Sequence, residues 1–198
     1  MRIYLARHGQ TEVGEDGLYL PEAGLTRTGH EQAAELAVAL RDTGIQIAFT
    51  SGLRRAQETA EHFSRVLGLP SHVVTALNEI EVGDIVSASQ DEKRAIVSHD
   101  HDLDFTKFGG EEPTSFFRRV IAGYEDMVKQ AEDKGADTIA AFIHGGSVGA
   151  IIDHLAGVAF DYRRRGRMPN CAFAVVDLEV RLDNPLAPWH TSHLTSLT

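Results

Sequence analysis

The sequence lacks long apolar runs and has a single cysteine. Hydrophobic residues make up 42% of the chain, but no run approaches the roughly 20 apolar residues that a membrane-spanning helix needs. The amino-terminal MRIYLARHG contains an apolar stretch too short for a signal peptide, and an arginine interrupts it. Cys171 has no second cysteine with which to form a disulfide. We therefore expect a cytoplasmic protein with no membrane partner.

Positive charge is also scarce. The chain has 19 Lys and Arg against 29 Asp and Glu, a formal net charge of -10. Nucleic-acid binders usually carry a basic balance or a basic stripe, so nucleic acid is not an expected partner. An acidic chain repels anions at long range, so an anionic substrate would need positive charge concentrated in the site. The basic cluster Arg163–Arg167 is most simply a solvated loop, and attraction of an anionic substrate is the alternative.

The order of apolar and periodic segments indicates one α/β domain over 1–198, a length that fits a single domain. Apolar runs predict strands over 2–6, 45–50, 72–76, 138–143 and 172–176. Helical spacing predicts a helix capped by Thr28 and closed by Gly44, and further helices over 53–67, 115–134 and 147–155. Strands that alternate with helices form a mostly parallel sheet covered by helices on both faces, which is a three-layer sandwich.

Residues 79–114 carry many charges with weak periodicity, which predicts an irregular segment, with a lid-like insertion over 82–114. Part of it mimics a calcium loop, with acids at Asp100, Asp102, Asp104 and Glu111. The sharp turn of such a loop needs glycine where this sequence has Phe105. We therefore expect no metal here and interpret the segment as an acidic loop at the rim of the pocket.

Candidate catalytic residues follow the predicted strands. Ligands of parallel sheets bind at the carboxyl ends of the strands, and both Arg7-His8 and His144 lie at such ends. A neutral imidazole at His8 can attack phosphorus when its other nitrogen is held by an acceptor, and Gly9 lets a phosphate approach the backbone. Taken alone, His8 is more simply a partly buried structural histidine. His144 is either a hydrogen-bond donor to phosphate or a residue of an ordinary turn.

Phosphoryl transfer also needs cationic groups and an acid for the leaving oxygen. Arg7 and Arg55 are the candidate cations, since a guanidinium binds phosphate oxygens in pairs and stays charged. Arg55 also falls at a predicted helix start, which is itself an anion site. Glu79, after the third strand, is the candidate acid if burial raises its pKa, and Glu81 and Asp84 compete for that role.

Together these segments resemble the histidine phosphatase superfamily, which is also called phosphoglycerate mutase-like. The matching segments follow the family's order from residue 3 to about 176. They are LARHGQT at 5–11, GLTRTGHEQA at 24–33, TSGLRRAQETA at 50–60, LNEIEVGD at 77–84, GGE at 109–111 and HGG at 144–146.

The resemblance implies the phosphoglycerate mutase-like fold and a metal-independent phosphatase without a cofactor. It implies that His8 becomes phosphohistidine, that Arg7, Arg55 and His144 hold the phosphate, and that Glu79 donates the proton. Arg55 rather than Arg54 matches, because the family's arginine directly precedes an alanine.

The sequence departs from the family in ways that bear on the substrate. The family often has a phosphate-contacting asparagine near the position of Gly14, which has no side chain to offer. We expect Gln10, Thr11 and Gly145 to contribute phosphate contacts. The acid motif usually continues tryptophan-glutamate-glycine, whereas this chain has IVS at 85–87. These departures bear on the local loop and the substrate pocket more than on the chemistry.

We expect a phosphomonoesterase that acts on a small phosphorylated metabolite. One alternative is a phosphoglycerate-type mutase, which returns the phosphoryl group to a sugar acid. Mutases of this family tend to be longer, so 198 residues favour hydrolysis. Another alternative is a catalytically silent binding protein on the same fold. The sequence does not identify the substrate, and it leaves the oligomeric state open, with a homodimer as one expectation.

Overall fold

The structure is a computed structural model that describes residues 1–13, 22–98, 104–160 and 168–178. Several predictions from the sequence fall outside these ranges. They concern Gly14, the first acids of the calcium-like loop (Asp100 and Asp102) and the basic cluster Arg163–Arg167.

A five-stranded sheet forms the centre of the molecule. Its strands are β1 (Arg2–Arg7), β2 (Ile47–Thr50), β3 (Ser71–Val73), β4 (Thr138–Ile143) and β5 (Phe173–Asp177). They lie in the order β3-β2-β4-β1-β5. The first four strands pair in parallel, and β5 adds to β1 as an antiparallel edge strand. The prediction of a mostly parallel sheet is confirmed.

Helices connect the strands. They are α1 (Arg27–Ala39), α2 (Arg54–Leu67), α3 (Gln90–Ser98), α4 (Pro113–Asp133) and α5 (Gly145–Leu155). Short 3₁₀ turns lie at Thr75–Leu77, Ile85–Ser87 and Thr106–Phe108. Within the described ranges, no helix combines the length and the apolar composition that crossing a bilayer requires.

Side chains that alternate along each strand build a separate core on each face of the sheet. Ile3 and Leu5 of β1 belong to the core that includes Phe116 of α4 and Val148 of α5. The intervening residues Tyr4 and Ala6 belong to a second core, which α1 and α2 complete with Leu36 and Phe63. Successive side chains of a strand point to opposite faces, so this partition confirms the three-layer arrangement.

The start of α1 differs from the prediction of an N-cap at Thr28. Thr26 is the N-cap, and its hydroxyl oxygen accepts a hydrogen bond of 3.0 Å from the Gly29 amide. Thr26 has the extended backbone that an N-cap requires, whereas Thr28 already lies inside the helix. The helix therefore begins earlier and also ends earlier, at Ala39 rather than near Gly44.

Residues 79–114 are more regular than predicted, because they contain α3. The Ser89 hydroxyl accepts from the Glu92 amide at 3.3 Å, and the Glu92 carboxylate accepts from the Ser89 amide at 2.8 Å. This reciprocal pair is a capping box, a signal in the sequence that weak periodicity obscured. Ile85 and Phe105 of the same segment are buried in the core beneath α4. A lid-like role for 82–114 stays a prediction.

Candidate active site

The sheet brings the two strand-end histidines together. In the parallel pair of β1 and β4, Arg7 lies opposite Ile143, so His8 and His144 follow at the same edge. The His8 amide donates to the Ile143 carbonyl at 3.0 Å, and the two imidazole ring centres are 5.1 Å apart. Residues far apart in the chain therefore meet at one edge of the sheet, as the strand pattern predicted.

His8 is buried, with 4% of its surface exposed, and its ring orientation is fixed. Its Nδ1 lies 2.7 Å from the Gly9 carbonyl oxygen, which can only accept, so Nδ1 carries the proton and Nε2 keeps its lone pair. Burial, followed by the charges of Arg55 and Arg7, holds the pKa of His8 well below its usual value. The imidazole is therefore neutral and competent as a nucleophile at Nε2.

Gly9 has no room for a side chain. A Cβ at this position would lie 2.5 Å from the carbonyl oxygen of Gly29 in α1. The Gly9 amide donates to the Thr59 hydroxyl at 3.1 Å, and that hydroxyl donates to the Arg55 carbonyl at 2.8 Å. The turn after His8 is thus packed against α1 and bonded to α2.

Arg7 and Arg55 supply the positive charge that an acidic chain would need for an anionic substrate. Arg55 lies in the first turn of α2 with 6% of its surface exposed. Arg7 ends β1, and its guanidinium donates to the Met168 carbonyl. Gly145 lies against the Arg7 side chain, since a Cβ there would be 3.9 Å from Arg7 Nε. Arg54, in contrast, is exposed and forms an ion pair of 2.7 Å with Glu58.

His144 is completely buried and is held by Ser51. The Ser51 hydroxyl lies 2.7 Å from His144 Nε2 and also accepts a hydrogen bond of 3.3 Å from the Leu53 amide. The Ser51 hydroxyl can therefore donate its own proton to Nε2, and that arrangement would leave the ring proton of His144 on Nδ1. Nδ1 is buried and has no hydrogen-bond partner among the described residues. Burial and the charge of Arg55 lower the pKa of His144 well below its usual value, so this donor is neutral.

Glu79 lies at the same edge, on the loop after β3. One carboxyl oxygen accepts from the Ile80 amide at 3.0 Å and the other from the Gly146 amide at 2.9 Å, at the start of α5. Burial raises the pKa of this carboxyl. The two amide hydrogen bonds and the charges of Arg55 and Arg7 lower it, but by less, so the pKa lies above its usual value. The carboxyl is therefore suited to carry a proton. The competing acids Glu81 and Asp84 are exposed.

Gln10 and Thr11 make contacts away from the histidines. The Gln10 side-chain oxygen accepts from the Thr26 hydroxyl at 2.8 Å. The Thr11 hydroxyl donates to the Gly24 carbonyl at 2.6 Å. Both side chains therefore anchor the chain just before α1. Direct phosphate contact by Gln10, Thr11 or Gly145 stays a prediction.

The sequence analysis missed several residues that support the site. The Asn170 side-chain amide and the Cys171 backbone amide donate to the His8 carbonyl at 3.0 and 3.3 Å. Cys171 has a positive φ of 55°, which is uncommon for a residue with a side chain. The turn-forming pair Pro169-Asn170 just before β5 was the signal available in the sequence. The support from Ser51 was also missed, although Ser51 lies inside a segment that was recognised.

No group of three or more His, Cys, Asp or Glu side chains in the described part of the chain is arranged to hold a metal ion. The side chains that converge on the site are two guanidiniums, two neutral imidazoles and a carboxyl. Such a set can bind an anion, offer a nitrogen nucleophile and supply a proton.

Comparison with known proteins places this site in a family. Residues 3–182 match the model of the histidine phosphatase superfamily (branch 1). A 2,3-bisphosphoglycerate-dependent phosphoglycerate mutase of Bartonella quintana (strain Toulouse) is 30% identical over 180 residues, covering 79% of this chain and 82% of the mutase.

Solved structures show the same fold. The alpha-ribazole phosphatase of Shigella flexneri is 27% identical, with a TM-score of 0.73 over 89% of this chain and 90% of the solved one. A mycobacterial glucosyl-3-phosphoglycerate phosphatase is 23% identical, with a TM-score of 0.75 over 89% of this chain and 90% of the other. The second likeness bears on the fold alone.

Proposed function

The chain belongs to the histidine phosphatase superfamily, and we propose that it hydrolyses a small phosphorylated metabolite through a phosphohistidine at His8. Members of this superfamily similar to this chain are phosphatases or mutases. The observation that carries the proposal is the neutral His8 imidazole, held at Nδ1 by the Gly9 carbonyl between the charges of Arg7 and Arg55.

In the first step, Nε2 of His8 attacks phosphorus as the bond between phosphorus and the ester oxygen breaks. The departing oxygen takes the proton of Glu79, and the product alcohol leaves. Arg7, Arg55 and the Nδ1 proton of His144 bind the oxygens of the transferring group. These donors are fixed before the reaction, so they stabilise the transition state without reorganising.

In the second step, water attacks the phosphorus of phospho-His8. The Glu79 carboxylate, now without its proton, takes one from the water as the nitrogen–phosphorus bond breaks. Inorganic phosphate leaves, and both His8 and Glu79 return to their starting protonation states. The same carboxyl thus acts as acid and then as base, which suits a pKa raised by burial.

A mutase is the second candidate, since the Bartonella quintana relative bears that name. Its first step would be the same, but a phosphorylated sugar acid would accept the group from His8 instead of water. Hydrolysis has the support of the Shigella flexneri phosphatase, which matches over 89% of this chain. A silent binding protein fits less well, because the nucleophile, the cations and the acid are all present at one edge of the sheet.

A generic aryl phosphate tests the proposal, with the wild-type chain and the His8→Ala variant assayed side by side in a strong chelator. We expect turnover by the wild type only, since Arg and His rather than a metal are the proposed phosphate ligands. Activity that is lost in chelator and restored by a divalent ion would require a different mechanism. No turnover by the wild type on aryl phosphates or a panel of phosphorylated metabolites would favour the silent binder.

The mutase alternative needs its own assay. The chain is incubated with a phosphoglycerate and 2,3-bisphosphoglycerate, and the rate of isomer formation is compared with the rate of phosphate release. Isomer formation that outpaces phosphate release would identify a mutase.

The proposed small phosphorylated substrate, the absence of metal and the cytoplasmic location all remain parts of the proposal.

A further inference from the structure

One arginine outside the phosphate site is bonded to the loop that carries Glu79. Arg119 of α4 donates from Nη1 to the carbonyls of Ala76 at 2.9 Å and Asn78 at 3.0 Å. Its Nη2 donates to the carbonyl of Glu79 itself at 3.3 Å. A single side chain therefore fixes the backbone on the approach to the acid and at the acid.

Glu111 orients that arginine. Its two carboxylate oxygens accept from Arg119 Nε at 3.0 Å and from Nη2 at 2.7 Å, which is a bidentate pair. The side chains of Arg119 and Glu111 are only 27% and 13% exposed. The Glu111 amide also donates to the Glu81 carbonyl at 2.7 Å. The pair thus bonds to the backbone of the loop both before Glu79, through Arg119, and after it, through Glu111.

Side-chain hydrogen bonds hold this loop because the backbone pairing of the sheet does not extend to it. Strand β3 ends at Val73, and Glu79 follows the 3₁₀ turn Thr75–Leu77. The Ser147 hydroxyl and the Gly52 amide bond to Leu77 and Asn78, which precede the acid. The Glu79 carbonyl is bonded by Arg119. The planar guanidinium with its five donors suits this geometry, which a lysine cannot reproduce.

We propose that Arg119, oriented by Glu111, is a positioning residue that holds the Glu79 carboxyl in line with the leaving oxygen. The inference rests on the proposed function, since it gives Glu79 the role of general acid. The hydrogen bonds of Arg119 are to the loop and to Glu111, not to the residues proposed to hold the phosphate. A misplacement of about 1 Å can cost roughly 10²-fold in rate, so removing these hydrogen bonds should remove much of the contribution of Glu79.

Leaving-group dependence separates positioning from a merely structural role. In Arg119→Gln, we expect kcat/KM to fall roughly 10- to 100-fold for an alkyl phosphate, as expected for a displaced acid. We expect a much smaller loss for an aryl phosphate, which leaves without much help. Arg119→Lys should recover only part of the loss. Arg118→Gln is the matched control, because Arg118 is the exposed neighbour on the same helix.

A double-variant cycle then tests whether Arg119 acts through Glu79. If it does, Glu79→Gln with Arg119→Gln should be no slower on the alkyl phosphate than Glu79→Gln alone. Losses that multiply, or equal losses on both substrates with an unchanged melting temperature, would overturn the inference.

Amide hydrogen exchange provides a readout that needs no catalysis. The Gly146 and Ile80 amides donate to the Glu79 carboxyl, so they report whether that carboxyl is in place. Arg119→Gln should speed exchange at both amides, and Arg118→Gln should not. Unchanged exchange would overturn the positioning role even if the wild type proved inactive. If the wild type is inactive and Arg119→Gln still speeds exchange at both amides, the positioning of Glu79 is supported. The failure then lies in the proposed function.

Discussion

The proposed nucleophile and the proposed acid lie on two sides of the site, the nucleophile side and the acid side, which are built by different means. On the nucleophile side, Arg7 ends β1 and His8 follows it, and their backbone bonds to β4 on one side and to residues 171 and 172 on the other. On the acid side, Glu79 lies beyond a three-residue edge strand and is held by Arg119 and by amides from other elements.

This difference follows from what each side must do. The nucleophile must face a phosphorus atom at a fixed position, and strand pairing fixes a backbone with many bonds. In the proposed mechanism the acid lies beside the leaving group, where pocket contacts decide specificity. A loop held by side chains depends on single residues to keep its geometry. Variants on the two sides should therefore differ in their substrate dependence.

The largest effect is expected on the nucleophile side. His8→Ala should abolish turnover of aryl and alkyl phosphates alike, because no phosphohistidine can form. The fold should survive, since the backbone at residue 8 keeps its bonds to Ile143, Asn170 and Cys171. Turnover is measured with both substrates, and thermal unfolding confirms the fold. Unchanged kcat would remove His8 from the mechanism.

The next largest effect is expected for Glu79→Gln on the acid side, and unlike the loss in His8→Ala it should depend on the substrate. Glu79→Gln should slow an alkyl phosphate by about 10² to 10⁴-fold, the usual contribution of general acid catalysis. An aryl phosphate, whose leaving group is stable as an anion, should lose far less. The measurement is kcat/KM for both substrates, with Glu81→Gln as the exposed control. Equal losses on both substrates would mean that Glu79 is not the acid.

The pH dependence should show the same asymmetry. Burial raises the pKa of Glu79, and the acid works only while protonated, so its contribution should fall as pH rises through that pKa. The ratio of wild-type to Glu79→Gln kcat/KM on an alkyl phosphate should therefore decrease with rising pH. The ratio cancels the ionisation of the substrate. A ratio that rises with pH would contradict a protonated Glu79 in the first step.

The difference between a side built on paired strands and a side built on a loop also explains which parts were predictable from the sequence. The buried strands, the mostly parallel sheet and the histidines at its edge follow from apolar runs and strand-end positions, and the structure brings His8 and His144 together. The acid loop was harder to predict. Residues 72–76 were expected to be a strand, but only Ser71–Val73 pairs, and a 3₁₀ turn follows. An edge strand pairs on one side only, and β-propensity depends on such context, so the apolar run alone does not give the length of the strand.

Long-range side-chain contacts were beyond the reach of sequence patterns. Asn170 supports His8 from 162 positions away, and Ser51 supports His144 from 93 positions away. Arg119 meets Glu79 across 40 positions. No periodicity or capping pattern distinguishes these residues, and the turn signal at Pro169-Asn170 does not indicate which residue Asn170 contacts. The Gly-Gly-Glu segment at 109–111 was noticed, but only the structure shows that Glu111 bonds to Arg119.

A smaller effect is expected when the orientation of His144 is disturbed. Ser51→Ala removes the hydroxyl that lies 2.7 Å from His144 Nε2, so the ring loses the contact that orients it. The loss should be about that of one hydrogen bond, 0.5–1.5 kcal/mol, or at most roughly tenfold in kcat/KM. It should be equal for aryl and alkyl phosphates, because the role proposed for His144 is to bind phosphate oxygens. A loss confined to the alkyl substrate would assign His144 to the acid side instead.

The smallest effect tests whether the nucleophile side depends on any one side chain. Asn170→Ala removes the amide that donates to the His8 carbonyl at 3.0 Å. The Cys171 amide still donates to that carbonyl, and the pairing of β1 with β4 is untouched. A neutral hydrogen bond contributes about 1 kcal/mol, and its replacement here leaves the carbonyl with a partner. We therefore expect no more than a few-fold loss in kcat/KM, equal for both substrates. A loss as large as that of Arg119→Gln, measured on the same alkyl phosphate, would show that the nucleophile too is held by a single side chain.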